Sequence, residues 1–106
     1  MSKRHIDNLD KICAEYKAAC EKHPKFCDQY TDTYLQQARE SAAYWKKYNK
    51  EGPYKADRIL MEEIAEATEA YLQNDKAHCL QELAQCGAVI LRMMEFVQAG
   101  IDNKEA

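Results

Sequence analysis

The sequence predicts an all-α fold, a four-helix antiparallel bundle built as a single domain over residues 1–106. The composition supports this prediction, because only three Gly and two Pro are present and 31% of the residues are charged. Apolar residues also recur at steps of three and four along most of the chain, which is the period of an amphipathic helix. We find no internal repeat and no convincing domain boundary, so one helical domain is expected.

The first two helices are expected in the N-terminal half of the chain. Helix one is predicted over about residues 7–22, and Pro24 ends it because proline cannot continue a helix. Helix two is predicted over about residues 28–48, where aromatic residues and alanines recur at helical steps. Either Asp28 or Thr31 can cap its start through a side-chain oxygen.

The last two helices follow a break at Gly52-Pro53. Helix three is predicted over about residues 55–73, and helix four over about residues 75–98. Asp75 is the expected N-cap of helix four, and Gly100 is its expected stop. The predicted core face of helix three consists of Leu60, Ile64, Ala67 and Tyr71. The chain thus divides into an N-terminal hairpin over about residues 5–50 and a second hairpin over residues 54–98.

Polar pairs on helices three and four point to a metal site. Glu63 and Glu66 are spaced i, i+3 and share one helix face, as do Glu82 and Gln85. In an antiparallel hairpin that turns near Asn74-Asp75, residues at equal height have numbers that sum to about 149. Glu66 is then expected opposite Glu82, and Glu63 opposite Gln85. Clustered carboxylates repel unless a positive charge lies between them, which favours a divalent cation held by oxygen ligands.

These two motifs resemble those of the MazG-like, all-α nucleotide pyrophosphohydrolases. In that family an E-E-x-x-E motif on one helix and an E-x-x-D motif on the next hold magnesium, which engages the phosphates of a nucleoside triphosphate. Here the first motif is Glu62-Glu63-Ile64-Ala65-Glu66. The second is Glu82-Leu83-Ala84-Gln85, with Gln where the family has Asp. The resemblance covers about residues 45–97.

The resemblance implies a magnesium-dependent enzyme that converts a nucleoside triphosphate to a monophosphate and pyrophosphate, and so clears unwanted nucleotides. Glu63, Glu66, Glu82 and Gln85 would hold Mg²⁺, with Mn²⁺ as the alternative, and Glu62 would activate water. A homodimer or higher homo-oligomer is also implied. Gln85 removes one negative charge from the site, which weakens magnesium binding. The alternative is therefore a catalytically weak or inactive helical interaction module.

Four further residues are candidate substrate contacts. Lys55 and Arg58 precede the acidic motif and could bind phosphate, although exposed residues at a helix start also explain them. Trp45 and Tyr48 could stack on a base, but aromatic residues at helical spacing more often belong to a core. Glu62 and Glu69 have a simpler interpretation as the solvated face of helix three.

Helix four is apolar nearly all the way round, and only Arg92 and Glu95 interrupt its C-terminal half. A helix of this kind is expected at the centre of a bundle or at a contact with another subunit. We therefore predict at least a homodimer.

The net charge and the hydropathy of the sequence limit the classes of binding partner that can be expected. A net charge of -3 and a pI near 5.6 disfavour nucleic-acid binding, which requires a basic surface. No stretch approaches the ~18 apolar residues that a membrane span needs, so no membrane partner is expected and cytoplasmic residence is the default. No glycine-rich phosphate loop is present.

The cysteines and histidines carry no recognised motif. The five Cys include no C-x-x-C pair, so they are expected to be reduced and to act as small buried hydrophobes, with zinc or redox chemistry as the alternative. His5, His23 and His78 show no partner spacing and are expected to be surface residues.

Overall fold

The protein is all-α in a computed structural model, which describes residues 3–105 and the side chains of residues 4–103. This part of the chain contains four helices and no strand, so the predicted fold class is confirmed at the level of four helices. None of these helices combines the length and the apolar character that crossing a membrane requires. The helices are α1 (Lys3–Lys22), α2 (Leu35–Lys50), α3 (Ala56–Leu72) and α4 (Lys76–Glu105).

Helix α2 begins later than predicted. Its first residue is Leu35, and its N-cap is Tyr34, which makes no side-chain capping hydrogen bond. Neither Asp28 nor Thr31 therefore caps it. Instead, the Thr31 hydroxyl accepts a hydrogen bond from the backbone N–H of Thr33 at 3.0 Å, which stabilises a turn ahead of the helix.

Helices α1 and α4 are longer than predicted. Helix α1 begins at Lys3, ahead of the expected start at Asp7. Helix α4 continues through Gly100 to Glu105. Gly100 does not adopt a positive φ, so it does not form the left-handed cap that would end the helix. A single glycine inside a helix costs only about 1 kcal/mol, which a long helix tolerates.

A tight turn joins α3 to α4 where the sequence predicts it. Asn74 adopts a positive φ of 60°, and its N–H donates to the Tyr71 carbonyl at 3.0 Å. The N–H of Asp75 donates to the Ala70 carbonyl at 2.9 Å, which completes a Schellman motif. The Asp75 carboxylate then caps α4 by accepting the backbone N–H of His78 at 3.2 Å. This turn sets the register of α3 against the first turns of α4.

The chain forms two compact units, and α4 contributes to both. One unit contains the residues up to Tyr30 together with those from Met93 onward, and the other is Thr31–Arg92. In the first unit His5 pairs with Glu95, a partner that the sequence analysis did not recognise, and it is half-buried rather than fully on the surface. The second unit contains every candidate site residue.

Small residues form the core. The buried apolar positions are all alanine or cysteine, and no large side chain of the described residues is fully buried. On α3, Ala67 is 0% exposed, whereas Ile64 and Tyr71 of the predicted core face are 44% and 38% exposed. Alanines let α2 and α3 approach closely, whereas Ile64 and Tyr71 keep a large part of their surface exposed. The buried apolar residues are Ala38, Ala42, Ala65, Ala67, Ala70, Cys79 and Cys86.

All five cysteines are free thiols. Cys79 and Cys86 are buried on α4, as the prediction of small hydrophobes requires. Cys13 and Cys27 are exposed, so the prediction is wrong for these two residues.

A candidate acidic site between α3 and α4

Four glutamates and one glutamine converge between α3 and α4. On α3, ligand oxygens of Glu62, Glu63 and Glu66 lie within 4.8 Å of one another. From α4, Glu82 shares hydrogen bonds with both Glu63 and Glu66. Gln85 reaches Glu63 and Glu82. The facing of Glu66 with Glu82 and of Glu63 with Gln85 is the one expected from the register of the hairpin. These five residues are called the acid cluster below.

Glu82 is the most enclosed member of the acid cluster, at 7% exposed. Its Oε1 lies 3.1 Å from His78 Nε2, one turn earlier on α4. The other ring nitrogen of His78 lies 3.9 Å from the Asp75 carboxylate. His78 is exposed, as expected, but it has acidic partners that the sequence analysis did not recognise. The i, i+4 spacing of His78 and Glu82 was the signal in the sequence that could have revealed the pair.

Asn49, at the end of α2, holds Glu62 in place. It is 5% exposed, and its Nδ2 donates to Glu62 Oε1 at 3.0 Å and to the Arg58 carbonyl at 3.1 Å. A buried amide that satisfies both groups restricts the Glu62 side chain and ties α2 to the start of α3. The sequence analysis missed Asn49, because nothing in the spacing of Asn49 and Glu62 along the chain places them side by side.

Burial and crowding change the acidity of the acid cluster. Burial raises the pKa of Glu63, and together with the hydrogen bond and negative charge of Glu82 and the charges of Glu66 and Glu62 it brings this pKa to about 7. Burial likewise raises the pKa of Glu66 to about 7, aided by Glu82 and Glu62. Burial also acts to raise the pKa of Glu82, but hydrogen bonds from Glu63, His78 and Glu66 outweigh it, so the pKa is lowered.

These shifts describe how the acid cluster shares charge. With pKa values of about 7, Glu63 and Glu66 retain part of their protons up to neutral pH, whereas hydrogen bonds to Glu82 lower its pKa and favour its ionised form. Ionising all of these acids together is therefore unfavourable at neutral pH and below unless a counter-charge is present. A thiolate does not join them, since burial and then the charges of Glu63 and Glu82 raise the pKa of Cys86.

The side-chain amide of Gln85 can face the other members of the acid cluster with either its nitrogen or its oxygen. With its nitrogen toward the acids, it donates to Glu63 Oε2 at 2.6 Å and to Glu82 Oε2 at 3.2 Å. With its oxygen turned to the same place, three oxygens meet at these separations, which is repulsive unless a cation lies among them. Gln85 is therefore a hydrogen-bond donor to the acids in this structure, and only the opposite orientation would turn its oxygen toward a cation.

The predicted substrate contacts lie outside the acid cluster. The Arg58 guanidinium lies 4.4 Å from the centre of the Tyr48 ring, a cation–π contact that engages both side chains. Trp45 packs edge-on against Tyr44, with ring centres 5.0 Å apart. Lys55 is the N-cap residue of α3 and is exposed. The structure brings none of these four side chains into contact with the acids, and their proposed roles stay predictions.

The second unit thus defines a class of protein, an all-α protein with an acidic site between successive antiparallel helices. Comparison of the chain with protein-family models, with curated proteins and with solved structures gives no match. Its function is therefore inferred from the chemistry of the site.

Proposed function

We propose that the protein is a magnesium-dependent nucleoside triphosphate pyrophosphohydrolase, which releases a monophosphate and pyrophosphate. One observation carries the proposal: ligand oxygens of Glu62, Glu63 and Glu66 lie within 4.8 Å of one another and face Glu82 and Gln85 of the next helix. This crowding raises the pKa values of Glu63 and Glu66 to about 7, so that both retain part of their protons at neutral pH. Such a site gains stability from a cation that replaces those protons. The resemblance of its motifs to the MazG-like enzymes supplies the reaction class.

The donor set of the acid cluster fits a hard cation. Carboxylate and amide oxygens are the ligands that Mg²⁺ and Mn²⁺ prefer. Glu63, Glu66 and Glu82 would hold the ion, and the Gln85 oxygen would complete the set. Magnesium usually keeps several waters and shares itself between a few carboxylates and substrate phosphates. When bound, it neutralises phosphate charge and lowers the pKa of the attacking water.

The chain itself supplies the base. Glu62 lies at the edge of the acid cluster, and the hydrogen bond from Asn49 fixes its side chain. A general base must be held within reach of the proton that it accepts, and the Asn49 amide provides this constraint. We therefore assign to Glu62 the proton from the water that attacks the phosphoryl group.

A second copy of the chain would cover apolar side chains that a single copy leaves exposed. In the second unit, apolar residues at helical steps on α3 and α4 remain exposed, and Leu80 is 70% exposed. Rows of exposed apolar side chains on a helix surface often mark a contact between proteins, and the buried apolar residues of the described part of the chain are only alanine and cysteine. We propose a homodimer or higher homo-oligomer in which two copies cover this stripe. The apolar stripe consists of Met61, Ile64, Tyr71, Leu80, Leu83 and Ile90.

Gln85 favours one alternative, a helical interaction module without turnover. Its amide satisfies Glu63 and Glu82 without a metal, and it adds no charge to attract one. Such a protein would retain the scaffold and bind a partner through its helices.

One experiment separates the two functions. The purified protein is incubated with canonical and modified nucleoside triphosphates and MgCl₂, and released pyrophosphate is measured. We expect release by the wild type, none by Glu63→Gln or Glu66→Gln, and wild-type release by Glu21→Gln, a matched change on the exposed surface of α1. Absence of release across the panel, together with no magnesium binding in calorimetry, would establish the interaction module instead.

A further inference from the structure

A groove lies beside the acid cluster, between α2 and α3, and His78 of α4 also lines it. It encloses about 440 Å³, and Glu66 forms part of its wall. The buried alanines Ala42 and Ala70 form its floor. Their small side chains bring the two helices close together and leave open space above the contact. Arg39 and Lys46 of α2 line the opposite wall.

Arg39 and Lys46 are two cations without an acidic partner. They are spaced i, i+7 on α2, so they lie on one helix face about 10 Å apart along the axis. The ion pairs among the described residues involve Arg4, His5 and His78, and neither groove cation takes part in one. Both side chains are therefore available to an anion in the groove.

The order of charges along the groove follows from the packing of α2 against α3. Because Asn49 bonds to Glu62 and the two helices run antiparallel, Lys46 lies near the level of Glu66. Arg39 lies further along, near the level of Gln73. A phosphate bound to a cation at Glu66 would thus meet Lys46 first, and the next phosphate would approach Arg39.

We infer that this groove binds the β- and γ-phosphates of the nucleoside triphosphate, the part that leaves as pyrophosphate. The inference rests on the proposed function. A magnesium ion held by the acid cluster would favour phosphates next to Glu66, which lines the groove. The planar guanidinium group of Arg39 can donate two parallel hydrogen bonds to a phosphate, and the ammonium group of Lys46 adds a compact positive charge.

Glu69 shapes the metal dependence of this groove. It lines the wall between the levels of the two cations, together with Glu66. These carboxylates repel a bare phosphate, and a magnesium ion on Glu66 removes part of that repulsion. Pyrophosphate should therefore bind only together with magnesium. The same geometry predicts a preference for triphosphates over diphosphates, because a diphosphate lacks the terminal group that reaches Arg39.

The first test measures binding of pyrophosphate by isothermal titration calorimetry, with and without MgCl₂. We expect Arg39→Gln and Lys46→Gln each to weaken magnesium-dependent binding about tenfold, the effect of losing one charge-assisted hydrogen bond. Lys47→Gln is the matched control, since Lys47 is an exposed neighbour on α2 that does not line the groove. Wild-type affinity in both groove variants would overturn the inference, as would binding that is equally tight without magnesium.

The second test uses turnover and separates the inference from the proposed function. For an active wild type, we expect Arg39→Gln to raise the KM for the triphosphate about tenfold and to reduce the preference over the diphosphate. If the enzyme is active and its KM is unchanged in both groove variants, the proposed phosphate-binding role of the groove is wrong, whereas the proposed pyrophosphohydrolase activity is supported. If the wild type is inactive but its pyrophosphate binding depends on Arg39 and Lys46, the proposed enzymatic activity is wrong and the proposed phosphate-binding role of the groove is supported.

Discussion

The side-chain amide of Gln85 lies 2.6 Å from the Glu63 carboxylate of the neighbouring helix. In the resembling family an aspartate stands at the position of Gln85, where it would add a negative charge. In this chain the amide instead donates a hydrogen bond to the acids. The metal-free site is thus stabilised, at the expense of its attraction for a cation.

Restoring that charge should strengthen cation binding. We expect Gln85→Asp to tighten magnesium binding about tenfold in calorimetry, because one more carboxylate joins the site. The same change should lower the free energy of unfolding of the metal-free protein, since a carboxylate replaces a donor among acids. Gln81→Asp, on the exposed side of α4, is the matched control. Equal magnesium affinity in the two variants would contradict a ligand role for Gln85.

Stability without metal should fall as pH rises. The pKa values of Glu63 and Glu66 are raised from 4.5 to about 7 in the folded protein. Between these values the folded state binds more protons than the unfolded state, so its stability decreases with increasing pH. After allowance for partial exposure, we expect a loss of about 2 kcal/mol between pH 5 and pH 8, measured by urea unfolding in EDTA.

Two further measurements check the origin of this pH dependence. Glu63→Gln and Glu66→Gln should each flatten the profile, whereas Glu21→Gln should leave it unchanged. Magnesium should bind more tightly as pH rises through 7 and should release protons, which calorimetry detects in buffers of different ionisation enthalpy. A stability that rises across the same range would refute the proton sharing described for the acid cluster.

Loss of the Asn49 amide should affect turnover more than magnesium binding. Asn49→Ala leaves Glu62 without its buried donor and should lower the free energy of unfolding by about 1–3 kcal/mol. Since Glu62 is then free to rotate, we expect a lower kcat with nearly unchanged magnesium affinity. Asn103→Ala, at an exposed position of α4, is the control. A fall in stability alone, with kcat preserved, would limit Asn49 to a structural role.

A charge on the apolar stripe should dissociate the proposed oligomer. Light scattering coupled to gel filtration should give the mass of a dimer or larger assembly for the wild type and that of a monomer for Leu83→Asp. Tyr54→Asp, in the exposed segment between α2 and α3, should keep the wild-type mass. A monomeric wild type would exclude assembly through the stripe of α3 and α4.

The local sequence determined the helices and the facing of the acids. The spacing of apolar residues, together with the proline and glycine positions that interrupt it, predicts four helices. The turn at Asn74-Asp75 sets the register of α3 against α4, which places Glu66 opposite Glu82. These features depend on residues close together in the chain, where backbone preference and side-chain spacing act directly. Helix ends were predicted less well, as the start of α2 shows, because a side chain that can cap a helix can also stabilise a preceding turn.

Only the tertiary structure decided what surrounds the acid cluster. Asn49 meets Glu62, and Arg39 and Lys46 share a groove with Glu66, because alanines bring α2 against α3. How closely two helices pack depends on the size of every residue between them, which periodicity does not encode. The acidity of Glu63 and Glu66 has the same origin, since burial and the approach of Glu82 raise both pKa values.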